Sequence, residues 1–539
     1  MKKSINRSTI LPIKLLGDFN RALHKQNKRD FISAIRIYKN IYSLYPDVYE
    51  LALNLGTCYF AISNFNESSN IFHKLHLNHP DNILVLNNAS ISYIQTGNLP
   101  LAYEFLKKLV IIDPTNRNAW INITSVAYGL SLTEESLYYA TQAISLNPTD
   151  ADLYTNLGAS LSNFHRYDEA LICYKTVLDL RPNDIKALTN IGVNLDMQGF
   201  FQESVSAFEK VLPLCNSDID LVEAKYRMSF PLLGKGDIKR GWEYYENGFS
   251  IQGRSGRTPV RLFNKPKWQG QKLNTETLMV WREQGIGDEV WFFSLFNFVA
   301  QRANNIIIEC SERLISLFSR AFPNCLVRAS SSDHHDYDYH IPVGSLCNLF
   351  ANNWSSFSYC KPYLKPREDL IEVYKNRLIT FKNKKLVGIS WRSGNLNITR
   401  NIHYVPISDW APLLSLEGIQ FVNLQYGDCS NELNSVREQL GVDILNFDDV
   451  NLKDDLESLA AIIINLDCVI SVSSFTSPFS QALGVKNYLI MHKYWTMLGQ
   501  DYWPWFENVD LFFPNNIKLP ISSVFHKLKD NLVSFLKIK

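Results

Sequence analysis

The sequence predicts an α + α/β protein, a helical solenoid followed by two facing α/β lobes. Three observations predict it. Prolines and small residues recur at a fixed 34-residue interval through the first half of the chain. Short apolar runs alternate with helix-length amphipathic stretches through the second half, the order that builds parallel sheets with crossover helices. Several of those runs end in turns rich in Gly, Ser and Thr, where open α/β sheets place their ligands. At 539 residues the chain is too long for one core and predicts roughly three or four domain-sized units.

Composition narrows the functional classes. Hydrophobic residues at 46% and charged residues at 20% supply ample core for a soluble protein. The formal net charge of +1 creates no global field for nucleic acid or an anionic membrane. The basic stretch Met1 to Ile10 is followed by Pro12 and Lys14, which argues against a secretory signal, and no apolar run is long enough to span a bilayer. Nine scattered cysteines without a C-x-x-C pair predict reduced thiols and a cytoplasmic setting, with no disulfide or zinc framework.

Residues 1–14 read as an extension, and residues 15–250 as the solenoid. Pro46, Pro80, Pro114, Pro148 and Pro182 each follow the last by 34 residues. Ala34, Ser68, Ala102, Ser136, Ala170 and Ser204 keep the same period, as do Gly56, Gly158 and Gly192. This pattern resembles the tetratricopeptide repeat, a pair of antiparallel helices per unit. The small residues let paired helices approach, and the proline stops the second helix before the next unit begins. Six units are clear, and a looser seventh spans Ala224 to Phe249. Tyr38, Phe72, Tyr174 and Phe208 share a column on the second helix and are expected in the core.

Asn20, Asn54, Asn88, Asn122, Asn156 and Asn190 form one more column, early in each first helix. Asparagine is a mediocre helix former, so propensity does not explain the column. An amide ladder on the concave face would bond the backbone of an extended peptide without reading its sequence. The repeats resemble those of the O-linked N-acetylglucosamine transferase, whose family holds acceptor proteins on such a ladder. The structural alternative is bonding between neighbouring helices.

Residues 251–275 read as a linker rich in Gly and Arg, and 276–368 as the first lobe. Leu278 to Trp281 predicts a buried strand, Gly285 and Gly287 turn the chain, and Asp288 falls where a helix starts. A carboxylate there is either a helix cap or a reactive group beside a ligand. Further strands are expected at Asn305 to Glu309 and Asp338 to Pro342, with helices over 288–303 and 311–321. The run His334 to His340 lacks the ligand spacing of a metal site and reads as a surface loop. Ser345 is placed at a helix start beside the cleft.

Residues 369–539 read as the second lobe. A charged helix over 369–382 precedes a strand from Lys385 that ends in Ser390-Trp-Arg-Ser-Gly394. Arg392 and Ser393, with Arg400 and His403 in the same loop, suit a diphosphate clamp; a structural pairing of Arg392 with a carboxylate is the alternative. Strands follow at 419–425, 443–447, 468–472 and 487–491, and an amphipathic helix over 523–536 closes the chain. Ser473, Ser474 and Thr476 cluster at a helix start, fit both to cap it and to hold phosphate.

Glu283-Gln-Gly-Ile-Gly-Asp-Glu289, Gly388-Ile-Ser-Trp-Arg-Ser-Gly394, Phe421-Val-Asn-Leu-Gln-Tyr426, Ala482-Leu-Gly484 and Trp495-Thr-Met-Leu-Gly499 carry a second resemblance. Together they resemble bacterial proteins that join tetratricopeptide repeats to a heptosyltransferase-like glycosyltransferase, among them enzymes that glycosylate flagellin. The resemblance implies a GT-B pair of Rossmann-like domains and a nucleotide-sugar held mainly by the second. It implies no metal and no resident cofactor, with Asp288 as the base that takes the acceptor proton. Arg392, Ser393, Ser473, Ser474 and Thr476 would then stabilise the departing diphosphate, and Gln425 and Asp455 would contact the nucleoside. The chain departs from the family at Pro478, where relatives carry His or Glu. The implied function is sugar transfer to a hydroxyl of a protein acceptor held by the repeats. The alternatives are a non-catalytic repeat scaffold, and a transferase acting on a lipid-linked glycan.

Overall fold

The computed structural model describes residues 11–251, 256–331, 334–393 and 404–538. Packing divides the chain into two compact units, Met1–Ala187 and Leu188–Lys539.

The first unit is a stack of helix pairs: Ile13–Asn27 with Phe31–Tyr42, Tyr49–Ala61 with Phe65–Asn78, Ile83–Gln95 with Leu99–Ile112, Arg117–Gly129 with Thr133–Leu146, and Ala151–Asn163 with Tyr167–Leu180. Each pair reverses at a left-handed residue, and these recur with the repeat: Arg29, Ser63, Gly97, Ser131 and His165, with φ from 59° to 75°. Asp30, Asn64 and Asn98 follow three of them and cap the second helix by accepting a backbone N–H. The small-residue column is buried, and its serines bond in two directions. Ser68 Oγ lies 3.0 Å from both the Gly56 carbonyl and Ser92 Oγ of the next pair. A Cβ at Gly56 would stand 2.8 Å from the Phe72 ring, so a side chain here would require that ring to shift. Tyr38, Phe72 and Tyr174 are buried, as their column predicts.

The helix Ile185–Met197 crosses the unit boundary and pairs in sequence with Phe201–Val211; Asp218–Gly234 and Ile238–Tyr245 follow. Four parallel strands come next: β1 (Leu273–Trp281), β2 (Ala303–Cys310), β3 (Leu326–Ala329) and β4 (Tyr339–Pro342), in the order β3-β2-β1-β4. A separate parallel sheet holds β5 (Lys385–Ser390), β6 (Ile419–Asn423), β7 (Cys468–Val472), β8 (Asn487–Ile490) and β9 (Val509–Phe512), in the order β6-β5-β7-β8-β9. β1 and β7 are apolar and buried towards their carboxyl ends, as strands covered on both faces must be.

The boundary at 187/188, rather than at 250, has a packing cause. Trp242 of the last helix pair is fully buried with its ring 6.1 Å from both Trp495 and Trp505, and Phe230 lies 5.5 Å from Trp495. Trp291 joins the cluster 4.5 Å from Trp505. The last helices therefore share one core with both sheets. Locally, the expected strand at 443–447 is reduced to a single bridge, Val422 with Leu445. The expected helix over 288–303 breaks at the 3-10 turn Phe293–Leu295. Among the described residues no helix is long and apolar enough to cross a membrane, and no cluster of His, Cys, Asp and Glu is set to hold a metal ion.

Candidate functional site

Both sheets reverse their winding direction next to a central strand. In the first, the chain runs β1 to β2 to β3 one way and returns to the other side of β1 as β4. In the second, β6 lies on one side of β5 and β7 on the other. Crevices open at the carboxyl ends of strands at such switch points. The glycine turn after β1 and the Ser/Thr turn after β7 occupy those two places.

The glycine turn is built tightly. Gln284 takes φ +58°, its N–H donates to the Thr258 carbonyl at 2.5 Å, and the helix Ile286–Phe292 follows. Gly285 is the residue that caps this helix, and Asp288 reaches back to it: Oδ2 accepts the Gly285 N–H at 3.0 Å. Asp288 is thus a capping residue in the ground state and stays partly exposed. Its neighbour Glu289 turns inward, fully buried, 2.8 Å from Arg282 Nε and accepting the Ser311 N–H at 2.8 Å. Burial pushes the Glu289 carboxyl up, against the pull of Arg282. Tyr226, from the last helix pair, is pushed up to about 12 by its burial, with Glu283 and Asp288 acting in the same direction.

The second turn faces the first. A Cβ on Gly287 would lie 3.7 Å from Pro478 Cγ and 3.8 Å from Phe475 Cα, so the two loops abut across the lobes. Pro478 therefore lies beside the glycine turn. Ser473 is exposed, whereas Ser474 Oγ is sealed from solvent and has no hydrogen-bond partner among the described residues. Thr476 is buried and donates to Ser390 Oγ at 3.3 Å.

Three expected donor contacts have other employment. Arg392 is committed to Glu432: Nε lies 2.9 Å from Oε1 and Nη2 lies 2.5 Å from Oε2, and Nη2 also donates to the Asp428 carbonyl at 2.7 Å. The bond to Glu432 raises the guanidinium pKa further above its ordinary value. Structural pairing, the alternative to the clamp, is what the geometry displays. Gln425 is buried, and its Oε1 accepts the Trp391 and Arg392 N–H groups at 3.1 and 2.9 Å while Nε2 donates to the Tyr426 carbonyl. It braces the turn after β5. Asp455 caps the helix Leu456–Ile464 by accepting the Ser458 N–H at 3.0 Å. Ser393 Oγ stands 3.3 Å from the Tyr426 hydroxyl. Gly394, Arg400 and His403 lie outside the described residues. Sequence reasoning assigned no role to His492, Lys493 and Tyr494, which leave the carboxyl end of β8 beside the Ser/Thr turn.

In the first unit the ladder residues differ. Asn54 Nδ2 donates to its own helix at the Glu50 carbonyl, 2.7 Å away, and Asn156 Nδ2 reaches Ser125 Oγ of the preceding pair at 3.4 Å. Asn156, Ser125, Ile121 and Arg181 line an open cavity of about 590 Å³. In the second unit, the Asn190 carbonyl accepts Asn194 Nδ2 at 2.9 Å. Ser345 lies under the first switch point, fully occupied by Glu246, Lys267 and Arg257.

The tetratricopeptide repeat model matches residues 139–172. Over those residues the chain matches a tetratricopeptide repeat, and the stacked helix pairs of the first unit repeat at the same 34-residue interval. Protein FlbA of Caulobacter vibrioides is 30% identical over 314 residues, covering 54% of this chain and 52% of that protein. The tetratricopeptide repeat-containing protein trd-1 of Caenorhabditis elegans is 27% identical over 116 residues, 20% of this chain and 15% of that one. The chain thus spans about half of FlbA and a smaller part of trd-1. Among solved structures, a MamA crystal structure is 25% identical over 31% of this chain and 90% of its own, with a TM-score of 0.29. A tetratricopeptide repeat protein from Parabacteroides merdae is 17% identical over 44% of this chain and 93% of its own, with a TM-score of 0.38.

Proposed function

We propose that the chain is a GT-B-type glycosyltransferase that moves a sugar from a nucleotide-sugar to a hydroxyl of a protein acceptor held by its repeats. The observation that carries this reading is the meeting of two strand-end turns from two separate parallel sheets, Gly287 against Phe475 and Pro478, each turn at a switch point of its sheet. Ser473, Ser474 and the Thr476 N–H form the phosphate side of the crevice; Pro478 has no N–H, and the Ser477 N–H donates to the Ser474 carbonyl. With Arg392 neutralised by Glu432, the departing diphosphate relies on these neutral donors and on groups near β8, Lys493 among them. Asp288 is the base that takes the proton of an acceptor hydroxyl, its carboxylate held in place by the Gly285 N–H. No metal takes part in this reading, and flagellin-like surface proteins are the acceptor class that the family resemblance suggests.

The test is a panel of nucleotide-sugars with the full chain, read first as ligand-induced thermal stabilisation and then as transfer or donor hydrolysis. Asp288→Asn is expected to keep donor stabilisation and to lower kcat by about a hundredfold or more, the usual size of a general-base contribution. Full activity in that variant would remove Asp288 from the mechanism. A second reading, a repeat scaffold without turnover, draws support from Pro478 and from the occupied Arg392. Donor-independent partner binding combined with no donor stabilisation from any nucleotide-sugar would favour it.

A further inference from the structure

Arg257 belongs to the linker, yet its side chain is fully buried under the turn that carries Asp288. Its guanidinium meets Glu283, also fully buried, through Nε at 2.7 Å and through Nη2, and it donates to Glu246 at 3.0 Å and to Ser345 Oγ at 3.1 Å. Tyr245 and Phe249 place their rings 4.5 and 4.1 Å from it. Glu283 also accepts the Gly344 N–H at 2.6 Å, and a Cβ on Gly344 would collide with that carboxylate. One residue on from each partner, the Gln284 N–H donates to the Thr258 carbonyl. The linker is therefore tied to the start of the glycine turn by side chain and backbone at once, and Glu246 ties the same group to the end of the last helix pair.

A simple core function does not account for this choice. A fully buried carboxylate, Glu283, a part-buried one, Glu246, and two cations, with Lys267 as the second, are a poor way to gain stability over apolar packing, but they fix geometry through directional bonds. What they fix is Glu283, five residues before Asp288 and adjacent to the left-handed Gln284.

We propose that Arg257 is a positioning residue: its forked bond to Glu283, anchored on Glu246, sets the pose of the Gly285–Asp288 turn from the last helix pair. The proposal rests on the transferase reading for its catalytic consequence and is independent of it for its structural one. A lysine at this position keeps the charge and loses the fork.

The experiment is Arg257→Lys in the full chain, followed by amide hydrogen exchange and by transfer kinetics. Exchange in residues 284–292 is expected to speed up about tenfold, with β5 to β9 unchanged. In transfer, kcat is expected to fall about tenfold with donor KM within about twofold, because the donor side of the crevice is untouched. Unchanged exchange in the turn, loosening spread evenly over both sheets, or a loss confined to KM would overturn the proposal. Should Arg257→Lys fail to fold, Glu246→Gln leaves the Arg257–Glu283 pair in place. The same pattern at smaller size is then expected, and no change in the turn would overturn the proposal. A wild-type protein that neither binds nor consumes a nucleotide-sugar would sink the transferase reading, and exchange in the turn would still decide the positioning role.

Discussion

Replacing Arg392 with alanine separates the two roles open to it. In the structure the guanidinium makes a forked pair with Glu432 and one further bond to the Asp428 carbonyl. Hydrogen bonds to charged groups contribute about 1.5–3 kcal/mol when shielded. Arg392 is 14% exposed and Glu432 30%, so solvent screens part of this, and about 2 kcal/mol is expected for the set. Glu432 is not orphaned by the change, since it still accepts Trp391 Nε1 at 2.7 Å. Urea unfolding followed by tryptophan fluorescence measures the loss, and calorimetry with a nucleoside diphosphate measures ligand affinity. The expected result is a destabilisation of about 2 kcal/mol with affinity changed less than about threefold. Stability within about 0.5 kcal/mol of wild type, together with a loss of affinity beyond about tenfold, would refute the reasoning and return Arg392 to the diphosphate.

Three further outcomes are expected. Burial lowers His340 from 6.5 to about 4, so between those values the unfolded chain binds the extra proton. The stability this gives is complete above about pH 6.5 and is lost as pH falls towards 4, on the order of 3 kcal/mol in total, and His340→Gln should flatten that part of the profile. Asp196 has the opposite sign: burial raises it from 3.8 to about 7, so its contribution worsens as pH rises through that window. Its Oδ1 is sealed and has no partner among the described residues, although the residue as a whole is only partly buried, and Asp196→Asn should stabilise by a few kcal/mol (roughly 2–4) at pH 8 and little near pH 4; equal effects at both would contradict the assignment. Ser63 holds φ +61° at an exposed helix reversal where Gly97 stands one repeat later, so Ser63→Gly should stabilise by roughly 0.5–1 kcal/mol in thermal unfolding.

The repeats were legible because their determinants are local: a small residue, a glycine and a proline per unit each state one helix contact or one stop. The reversal at Arg29, Ser63, Ser131 and His165 was not, because an unremarkable residue is forced left-handed there by the packing of the helices it joins. Both switch-point turns could be read, since each follows a continuous apolar run. β3 and β9 could not, being four-residue edge strands that are only partly buried, without the buried run that marks the equally short edge strand β4. The partner of Arg392 and the role of Gln425 escaped for a different reason. Arg392 finds Glu432 40 residues further on, and Gln425 closes on a turn more than 30 residues earlier, distances over which sequence alone names no partner.

The place where the packing divides the chain also says where it can be cut. Severing it at 250, the apparent end of the repeats, would strip Tyr226, Trp242 and Tyr245 from the tryptophan cluster and leave a sticky hole in what remained. Anyone wishing to graft a foreign repeat array onto these lobes should splice near Ala187 and let the final helices travel with the sheets.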